Sequence, residues 1–272
     1  MNVENRQSGD GTVGKALAVL DAVAAAGRPV RFAALLEDSP YPKATLYRLL
    51  QTLVSQGMLD LDPDRGTYSP GLRLVRMAHS AWAQSSLAPI ARPHLDALSA
   101  DVGETVHLAQ LDGGAVLYVD KRNAARPVQM YSEAGKVGPA YCTGVGKAML
   151  AFLPEPELEA ALARQSWHRF TGTTITDPDA MRVELATIRT EGVARDRQEH
   201  EPGIACIAAP VLGPGGRVQG AVSITGPTDR IPAAALEAHI PRLRRAADDI
   251  TRDLRDWRFP DEREERHDWR HA

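Results

Sequence analysis

One predicted helix carries two faces of different chemistry, just after Tyr41. Four leucines recur at the helical spacing i, i+3, i+4 and i+7 and predict a buried face, namely Leu46, Leu49, Leu50 and Leu53. The opposite face presents, at the same spacing, Ala44, Tyr47, Arg48 and Gln51, and it carries no acidic side chain. A guanidinium, an amide and a phenol can hydrogen-bond to base edges and phosphates in a DNA major groove. This helix is therefore predicted to read DNA.

Residues around this helix complete the predicted DNA-contact set. Lys43 and Thr45 in the first turn are expected to hold phosphates, while Arg48, Tyr47 and Gln51 are expected to reach bases. The following MLDLDPDRGTY alternates apolar and polar residues and turns at residues 62–66, which predicts a hairpin with Arg65 at its tip. Two further helices, one at 13–26 and a short one at 31–37, are predicted before it. We therefore predict a winged helix-turn-helix over residues 13–71, after a disordered arm at 1–12.

Overall charge gives little support to a nucleic-acid role. The chain has 272 residues, which suits two domains, and a formal net charge of −3. Residues 13–76 hold eight Lys or Arg and six Asp or Glu, so this region is only slightly positive. Two cysteines make no disulfide framework, and neither a signal sequence nor a long apolar run is present. We expect a cytoplasmic protein with no membrane segment.

The remaining chain predicts an α+β domain with a mostly antiparallel sheet. A helical linker is expected at 72–100, then a sheet domain at 101–257 and a charged, solvated tail at 258–272. Two strong hairpin patterns, TVHLAQLDGGAVLYVDKR and IACIAAPVLGPGGRVQGAVSITG, favour antiparallel pairing over βαβ units. A further strand is predicted at 128–131 and a single closing helix at 231–257.

A second group of residues could bind or transform a small molecule. In CTGVGK a glycine-rich turn enters a helix, so the N–H groups of Gly144 and Val145 are predicted to cradle a carboxylate. Farther along, Asp196, His200 and Cys206 lie within eleven positions, and Cys142 could join them. These types suit a nucleophile with a base, or zinc ligands. The set lacks a strained nucleophile elbow and the CxxC or HxxxH spacing that would make either reading specific.

The chain resembles the IclR family of transcriptional regulators, from about residue 13 to the helix that ends near residue 257. The resemblance rests on six segments in the family's order: PKATLYRLL, GMLDLDPDRGTYSPGLRL, GETVHLAQLDGGAVLYVDK, YCTGVGKAMLAFLP, RFTGTTITDP and DRQEHEPGIACIAAPV with GAVSITGP. It implies an N-terminal winged helix-turn-helix, a C-terminal GAF-like ligand domain and a dimer of dimers. One departure is Ala44, where the family usually has serine, so the operator sequence of relatives should not be carried over.

The resemblance also assigns the ligand pocket. It places the CTGVGK turn in the lining, Asp196 and Cys206 on the opposite wall, and Met130 as an apolar floor. Asp196 would accept hydrogen bonds from ligand hydroxyls, and Cys206 would donate weakly or pack.

These observations favour a ligand-responsive DNA-binding regulator of a small-carboxylate catabolic operon, with no enzymatic activity, no metal and no cofactor. Its expected partners are double-stranded operator DNA, a small carboxylate effector and further copies of itself, paired through apolar linker residues such as Leu72, Leu74, Val75, Met77 and Trp82. Two alternatives remain open. One is a metal-responsive regulator that uses Cys142, His200 and Cys206, and the other is a Cys/His-dependent enzyme on a GAF-like domain.

Overall fold

The computed structural model describes residues 11–84 and 87–256, and the chain divides into two compact units. The first unit ends at Gln84 and the second begins at Ser85, inside the range expected to form a helical linker. Most of the expected N-terminal arm and the whole charged tail lie outside the described residues. None of the described helices is long and apolar enough to cross a membrane.

The first unit combines helices with a small antiparallel sheet. In chain order it contains α1 (Thr12–Ala25), β1 (Val30–Arg31), α2 (Phe32–Glu37), α3 (Lys43–Ser55), β2 (Leu59–Asp62), β3 (Thr67–Pro70) and α4 (Leu72–Gln84). The sheet order is β1-β3-β2. The sequence predicted the β2–β3 hairpin but missed β1, because a strand of two residues has no periodicity to detect.

The apolar face of α3 forms the centre of the first core. Its four leucines are at most 6% exposed and pack with residues of α1, α2 and the sheet, including Val23, Leu35 and Tyr68. The C-terminal end of α3 is set by Gly57, whose φ of +67° takes the chain out of the helix. Because one face is buried, the opposite face of α3 is held toward the outside of this unit.

Local hydrogen bonds shape the hairpin tip. The Asp62 carboxylate accepts the backbone N–H groups of Asp64 and Arg65, each at 3.0 Å, and Gly66 adopts a φ of +61°. The Asp62 side chain therefore fixes the turn, and Arg65 projects from it.

The second unit contains a six-stranded antiparallel sheet of order β6-β5-β4-β9-β8-β7. Its strands are β4 (Thr105–Asp112), β5 (Ala115–Arg122), β6 (Val137–Gly138), β7 (Ala194–Arg197), β8 (Ile204–Leu212) and β9 (Val218–Pro227). Its helices are α5 (Leu87–Val102), α6 (Gly144–Leu150), α7 (Glu155–Leu162), α8 (Pro178–Glu191), α9 (Ala233–Glu237) and α10 (Ile240–Asp256). The predicted α+β class and antiparallel sheet are confirmed.

Helices cover both faces of this sheet. α5 and α10 pack together and lie on β4, β8 and β9, while α6 crosses the strands on the other face and contacts α8. Successive strand residues point to opposite faces, so His107, Cys206 and Ser223 face α6. The fully buried Val106, Ile207 and Val222 face α5 and α10. The α6 face is the one that contains the cavity described below.

Two predicted elements differ in the structure. Residues 128–131 form an irregular segment rather than a strand, and β5 pairs instead with the short β6. The Tyr131 N–H donates to the Glu201 carboxylate at 2.9 Å, so a side chain replaces a strand partner.

The closing helix is also not continuous, because α9 ends at Glu237 and α10 begins at Ile240. The reason is Pro241, which has no N–H and whose ring would collide with the carbonyl four residues earlier in an unbroken helix. Trp257, the expected end of the helix, lies outside the described residues.

Candidate functional site

The outer face of α3 presents most of the predicted DNA-contact residues. Lys43, Ala44, Tyr47 and Arg48 are exposed, whereas Thr45 and Gln51 are half-buried. Arg65 at the hairpin tip has 79% of its side chain exposed, and its guanidinium lies 3.8 Å from the Asp62 carboxylate. The helix and the hairpin therefore offer cationic groups to an approaching anion.

Two of the predicted base-reading side chains are also held within the protein. The ring of Tyr47 packs edge-on against Phe32 of α2, with 6.1 Å between centroids. Burial raises the pKa of the Tyr68 phenol on β3, whereas the neighbouring Gln51 side chain acts in the opposite direction. Gln51 therefore lies beside the hairpin, whereas the side chain of Arg48 is exposed.

A polar cavity lies in the second unit between the sheet and α6. The empty volume of the cavity, including open solvent at its mouth, is about 380 Å³. The residues that line it are His107, Tyr118, Ser132, Thr143, Gly144, Val145, Asp196, His200, Glu201, Ile204, Cys206, Ser223 and Thr225. Four predicted effector residues, Gly144, Val145, Asp196 and Cys206, are therefore brought together. Met130 is buried but does not line the cavity, because the segment expected to be a strand is irregular and presents Ser132 there instead.

A histidine surrounded by hydroxyl groups forms one wall. His107 Nε2 lies 2.9 Å from Ser132 Oγ, while its Nδ1 lies 3.3 Å from both Ser223 Oγ and Thr225 Oγ1. Burial, and secondarily the charge of Lys121, lowers the pKa of His107 to about 3. The imidazole is therefore neutral at physiological pH.

This wall was not predicted from the sequence, although the sequence contains a signal for it. The strand sequences TVHLAQ and AVSITG place Thr105, His107, Ser223 and Thr225 at alternate positions on a face that is otherwise apolar. Polar residues at core-facing strand positions are unusual unless they are paired or line a site.

The start of α6 approaches the sheet closely. A Cβ atom at position 144 would overlap Cys206 Sγ and lie 3.5 Å from the Cβ of Ala208, so glycine is required there. Burial raises the pKa of the Cys206 thiol, and the Gly144 backbone N–H, which faces the sulfur, acts in the opposite direction. One of the two N–H groups of the predicted carboxylate cradle therefore faces the sulfur atom, and the helix that begins there, α6, is only seven residues long.

Asp196 is a buried carboxyl group that no cation contacts directly in the described residues. Its Oδ1 accepts the Glu199 N–H at 2.7 Å, and its side chain is almost fully enclosed. Burial raises the pKa of Asp196 to about 7, with further contributions from Glu199 and Glu201, while the Glu199 N–H and Lys147 act in the opposite direction.

A buried ion-pair network lies behind this wall. Lys147 of α6 has no exposed surface, and its Nζ lies 2.5 Å from Glu199 Oε1 and 3.1 Å from Glu184 Oε1. Arg197 contacts the same Glu184 oxygen at 3.2 Å. Lys147 was not predicted as a functional residue, although it is the lysine of CTGVGK.

An aromatic row borders the cavity. His200, a lining residue, lies between Tyr131 and Phe170, with ring centroids at 5.2 and 4.8 Å. Thr174 accepts hydrogen bonds from the N–H groups of Phe170 and Thr171 and donates to the Glu199 carbonyl. The loop that contains Phe170 is thereby fastened to the segment after Asp196.

Comparison with known proteins assigns both units. Residues 12–63 match the model of the IclR helix-turn-helix domain, and residues 79–252 match the model of the C-terminal domain of the bacterial transcriptional regulator IclR. The chain belongs to the IclR family. It is thus a DNA-binding helix-turn-helix regulator of transcription, as the sequence resemblance had indicated.

Individual relatives cover nearly the whole chain. The transcriptional regulator XynR of Escherichia coli (strain K12) is 32% identical over 243 residues, which span 89% of this chain and 96% of XynR. The crystal structure of a transcriptional regulator from Rhodococcus sp. RHA1 is 31% identical with a TM-score of 0.77, covering 89% of this chain and 97% of that one. The IclR of Thermotoga maritima is 30% identical with a TM-score of 0.72, covering 89% and 98%.

The two alternatives to an IclR-type regulator of small organic ligands gain no support from the geometry. Among the described residues, no three His, Cys, Asp or Glu side chains are grouped so that they could hold a metal ion, and Cys142 does not line the cavity. Burial raises the pKa of both the Cys142 and the Cys206 thiols, so each remains protonated and is a poor nucleophile.

The raised pKa of Asp196 predicts a pH-dependent loss of stability. The pKa rises from 3.8 to about 7 on folding, so between these values the native state binds more protons than the unfolded chain. The free energy of unfolding should therefore fall as pH rises through this window, by up to about 1.4 kcal/mol per pH unit. Asp196→Asn should remove this component. Urea unfolding of both proteins from about pH 4 to 8 would measure it, and parallel profiles would contradict it.

Proposed function

We propose that the protein is a ligand-responsive transcriptional regulator whose cavity binds a small carboxylate effector and thereby alters operator affinity. The regulated genes would be a catabolic operon for that acid, and the protein would act in the cytoplasm, where operator DNA is. Repression and activation both fit this mechanism, because an effector shifts an equilibrium between conformations that bind DNA differently. The observation that carries the proposal is the polar cavity in a chain that also has a helix-turn-helix domain.

The DNA interface would use the outer face of α3 and the hairpin tip. Lys43 and Thr45 stand in the first turn of α3, where they would contact phosphates and position the helix. Arg48, one turn later and exposed, would read a base edge, and Arg65 would reach a phosphate or the minor groove. Tyr47 and Gln51 would add further contacts. Tyr47 already packs against Phe32, and Gln51 lies beside Tyr68.

The effector site is supported by the polar groups that converge on one hollow. Hydroxyl groups, an imidazole and a buried carboxyl group all line it. Ligand sites typically combine such convergent polar groups with a perturbed pKa. The hydroxyl groups of Ser132, Ser223 and Thr225 can both donate and accept. They suit a small hydroxy, keto or sugar acid, or a hydroxylated aromatic acid.

Self-association is supported by apolar residues left exposed on the first unit. On α4, Leu72 is 76% and Val75 is 63% exposed, and on α1 the corresponding value for Val13 is 74%. Leu74 instead packs against the core of its own unit, and the side chain of Trp82 lies outside the described residues. Pairing of two copies would cover this surface and provide the two DNA-binding heads that a two-fold operator needs.

The DNA interface is tested by Arg48→Ala. If Arg48 reads a base, operator binding should weaken by about 1–3 kcal/mol and specificity should relax at one position. If Arg48 contacts only phosphate, all sequences should weaken together and the salt slope should fall by about one unit. Fluorescence anisotropy at several salt concentrations distinguishes these results. Arg126→Ala, which changes an exposed arginine of the second unit, is the control, and unchanged binding by Arg48→Ala would refute this interface.

Self-association is tested by placing charges on the apolar surface. Leu72→Glu combined with Val75→Glu should convert an oligomer into a monomer at micromolar concentration, because charged groups in an apolar interface lose their hydration. Multi-angle light scattering would measure the mass. Val183→Glu is the matched control, since Val183 is 69% exposed but lies on α8. A monomeric unaltered protein would refute the proposal.

Effector binding is tested by a thermal-shift screen with hydroxy, keto, sugar and aromatic acids. A ligand that binds the native state should raise the melting temperature and change operator affinity. Asp196→Ala should abolish the shift and leave the DNA affinity of the free protein nearly unchanged. Asp112→Ala, at an exposed hairpin position, should retain the shift. If Asp196→Ala binds the acid normally, the cavity is not the effector site.

A further inference from the structure

The charged side chains that line the cavity are all acidic in the part of the chain that the structure describes. They are Asp196 and Glu201, while burial lowers the pKa of both lining histidines, His107 and His200, and so favours their neutral forms. No Lys or Arg is among the lining residues. A carboxylate that enters this space would therefore meet negative charge without a compensating cation, which is unfavourable in a site of low dielectric constant.

The nearest cation is already neutralised. Lys147 and Arg197 carry two positive charges, and they contact Glu199 and Glu184, which carry two negative charges. Lys147 is completely buried and cannot turn toward the cavity without abandoning Glu199. This balance leaves Asp196 without a cation of its own. Glu201 differs, because it is half-buried and accepts the Tyr131 N–H.

The groups around Asp196 come from every neighbouring element. Lys147 of α6, Glu199 and Glu201 of the segment after β7, Cys206 of β8, Cys142 before α6 and Tyr118 of β5 all interact with its charge. Lys147 is the one cation in this group, and burial keeps both thiols and the phenol protonated. The surroundings of Asp196 therefore disfavour its carboxylate form.

We propose that Asp196 receives the carboxylate of the effector as a carboxylic acid, so that each anion bound from neutral or alkaline solution brings one proton into the cavity. This inference rests on the proposed effector site and specifies how that site tolerates an anion. The proton comes from solvent and stays between the two carboxyl groups. The two carboxyl groups then share one negative charge, whereas two carboxylates would repel each other.

The arrangement also selects among ligands. A protonated Asp196 donates an O–H···O⁻ bond to a carboxylate, and such charge-assisted bonds are short and strong. A neutral polyol or amide cannot accept that bond as a charged group, and its hydroxyl donors would instead favour ionised Asp196. An anion should therefore take up a proton on binding, whereas a neutral analogue should take up none or release one.

Isothermal titration calorimetry with the full chain tests the proposal. The acids are D-glycerate, D-gluconate and 4-hydroxybenzoate. Their neutral controls are glycerol, D-glucitol and 4-hydroxybenzamide. Binding enthalpies in phosphate and in Tris, whose ionisation enthalpies differ, give the number of protons taken up. For an acid that binds, uptake should rise from near zero at about pH 6 to about one at about pH 8, and affinity should fall by about tenfold per pH unit above about pH 7.

Variants identify the proton-binding group. Asp196→Asn, whose amide oxygen can still accept the Glu199 N–H, should bind the acid with no proton uptake and no pH dependence across this range. Glu201→Gln, the other acid of the same cavity, should keep the uptake. Potentiometric titration of the ligand-free proteins should show that the unaltered chain releases about one more proton than Asp196→Asn between about pH 5 and 9.

Three results would overturn the inference. They are acid binding without proton uptake, equal uptake by Asp196→Asn, and failure of all three acids to bind at about pH 6, where Asp196 would hold its proton. If instead a neutral analogue binds and changes operator affinity, the ligand-responsive function stands and the proton-uptake mechanism is refuted. Loss of every ligand effect on DNA binding would instead count against the proposed function itself.

Discussion

The close approach of α6 to the sheet is the constraint on which the second unit depends. Position 144 faces Cys206 and position 146 faces the backbone of Ala140, and a Cβ at either position would overlap those atoms. With glycine at both, the helix can lie directly on β7, β8 and β9. That position lets Lys147 reach Glu199 and leaves a hollow beside Gly144, lined by strand residues. The cavity is therefore a consequence of the same contact that closes the core.

The Lys147–Glu199 pair links this packing to the chemistry of the cavity. A buried pair contributes little net stability, but loss of one partner would leave an uncompensated charge and cost about 3–5 kcal/mol. The pair thereby fixes Glu199, whose N–H in turn holds the Asp196 carboxyl group at 2.7 Å. Gln198 between them adopts a φ of +63°, a conformation that a side chain disfavours and that the surrounding hydrogen bonds maintain. Asp196 is consequently held in place next to a cation that is already paired, which explains why its carboxyl group is poorly stabilised as an anion.

Much of the architecture could be predicted from sequence, because it depends on local patterns. The heptad-like leucines of α3 and the turns of three hairpins are read directly from spacing and turn residues. Failures arose where tertiary contacts override those patterns. Residues 128–131 alternate like a strand, yet the Tyr131 N–H is used by Glu201, seventy positions away. Asp196 and Cys206 were assigned by resemblance, whereas His107 and Ser223 meet only through strand pairing. No spacing within a single segment reveals that contact.

The DNA-binding unit shows how local charge can matter more than total charge. The whole chain is net negative and residues 13–76 are nearly balanced, so no long-range field draws the protein to DNA. One acid of the hairpin, Asp62, is used internally, since it accepts two backbone N–H groups of its own turn. Lys43, Arg48 and Arg65 remain exposed, and the outer face of α3 carries no acid. Because the leucines of α3 and Tyr68 of β3 share one buried core, the helix and the hairpin present these cations as one unit. Affinity would then depend on a few correctly placed contacts, which makes it sensitive to the loss of a single arginine.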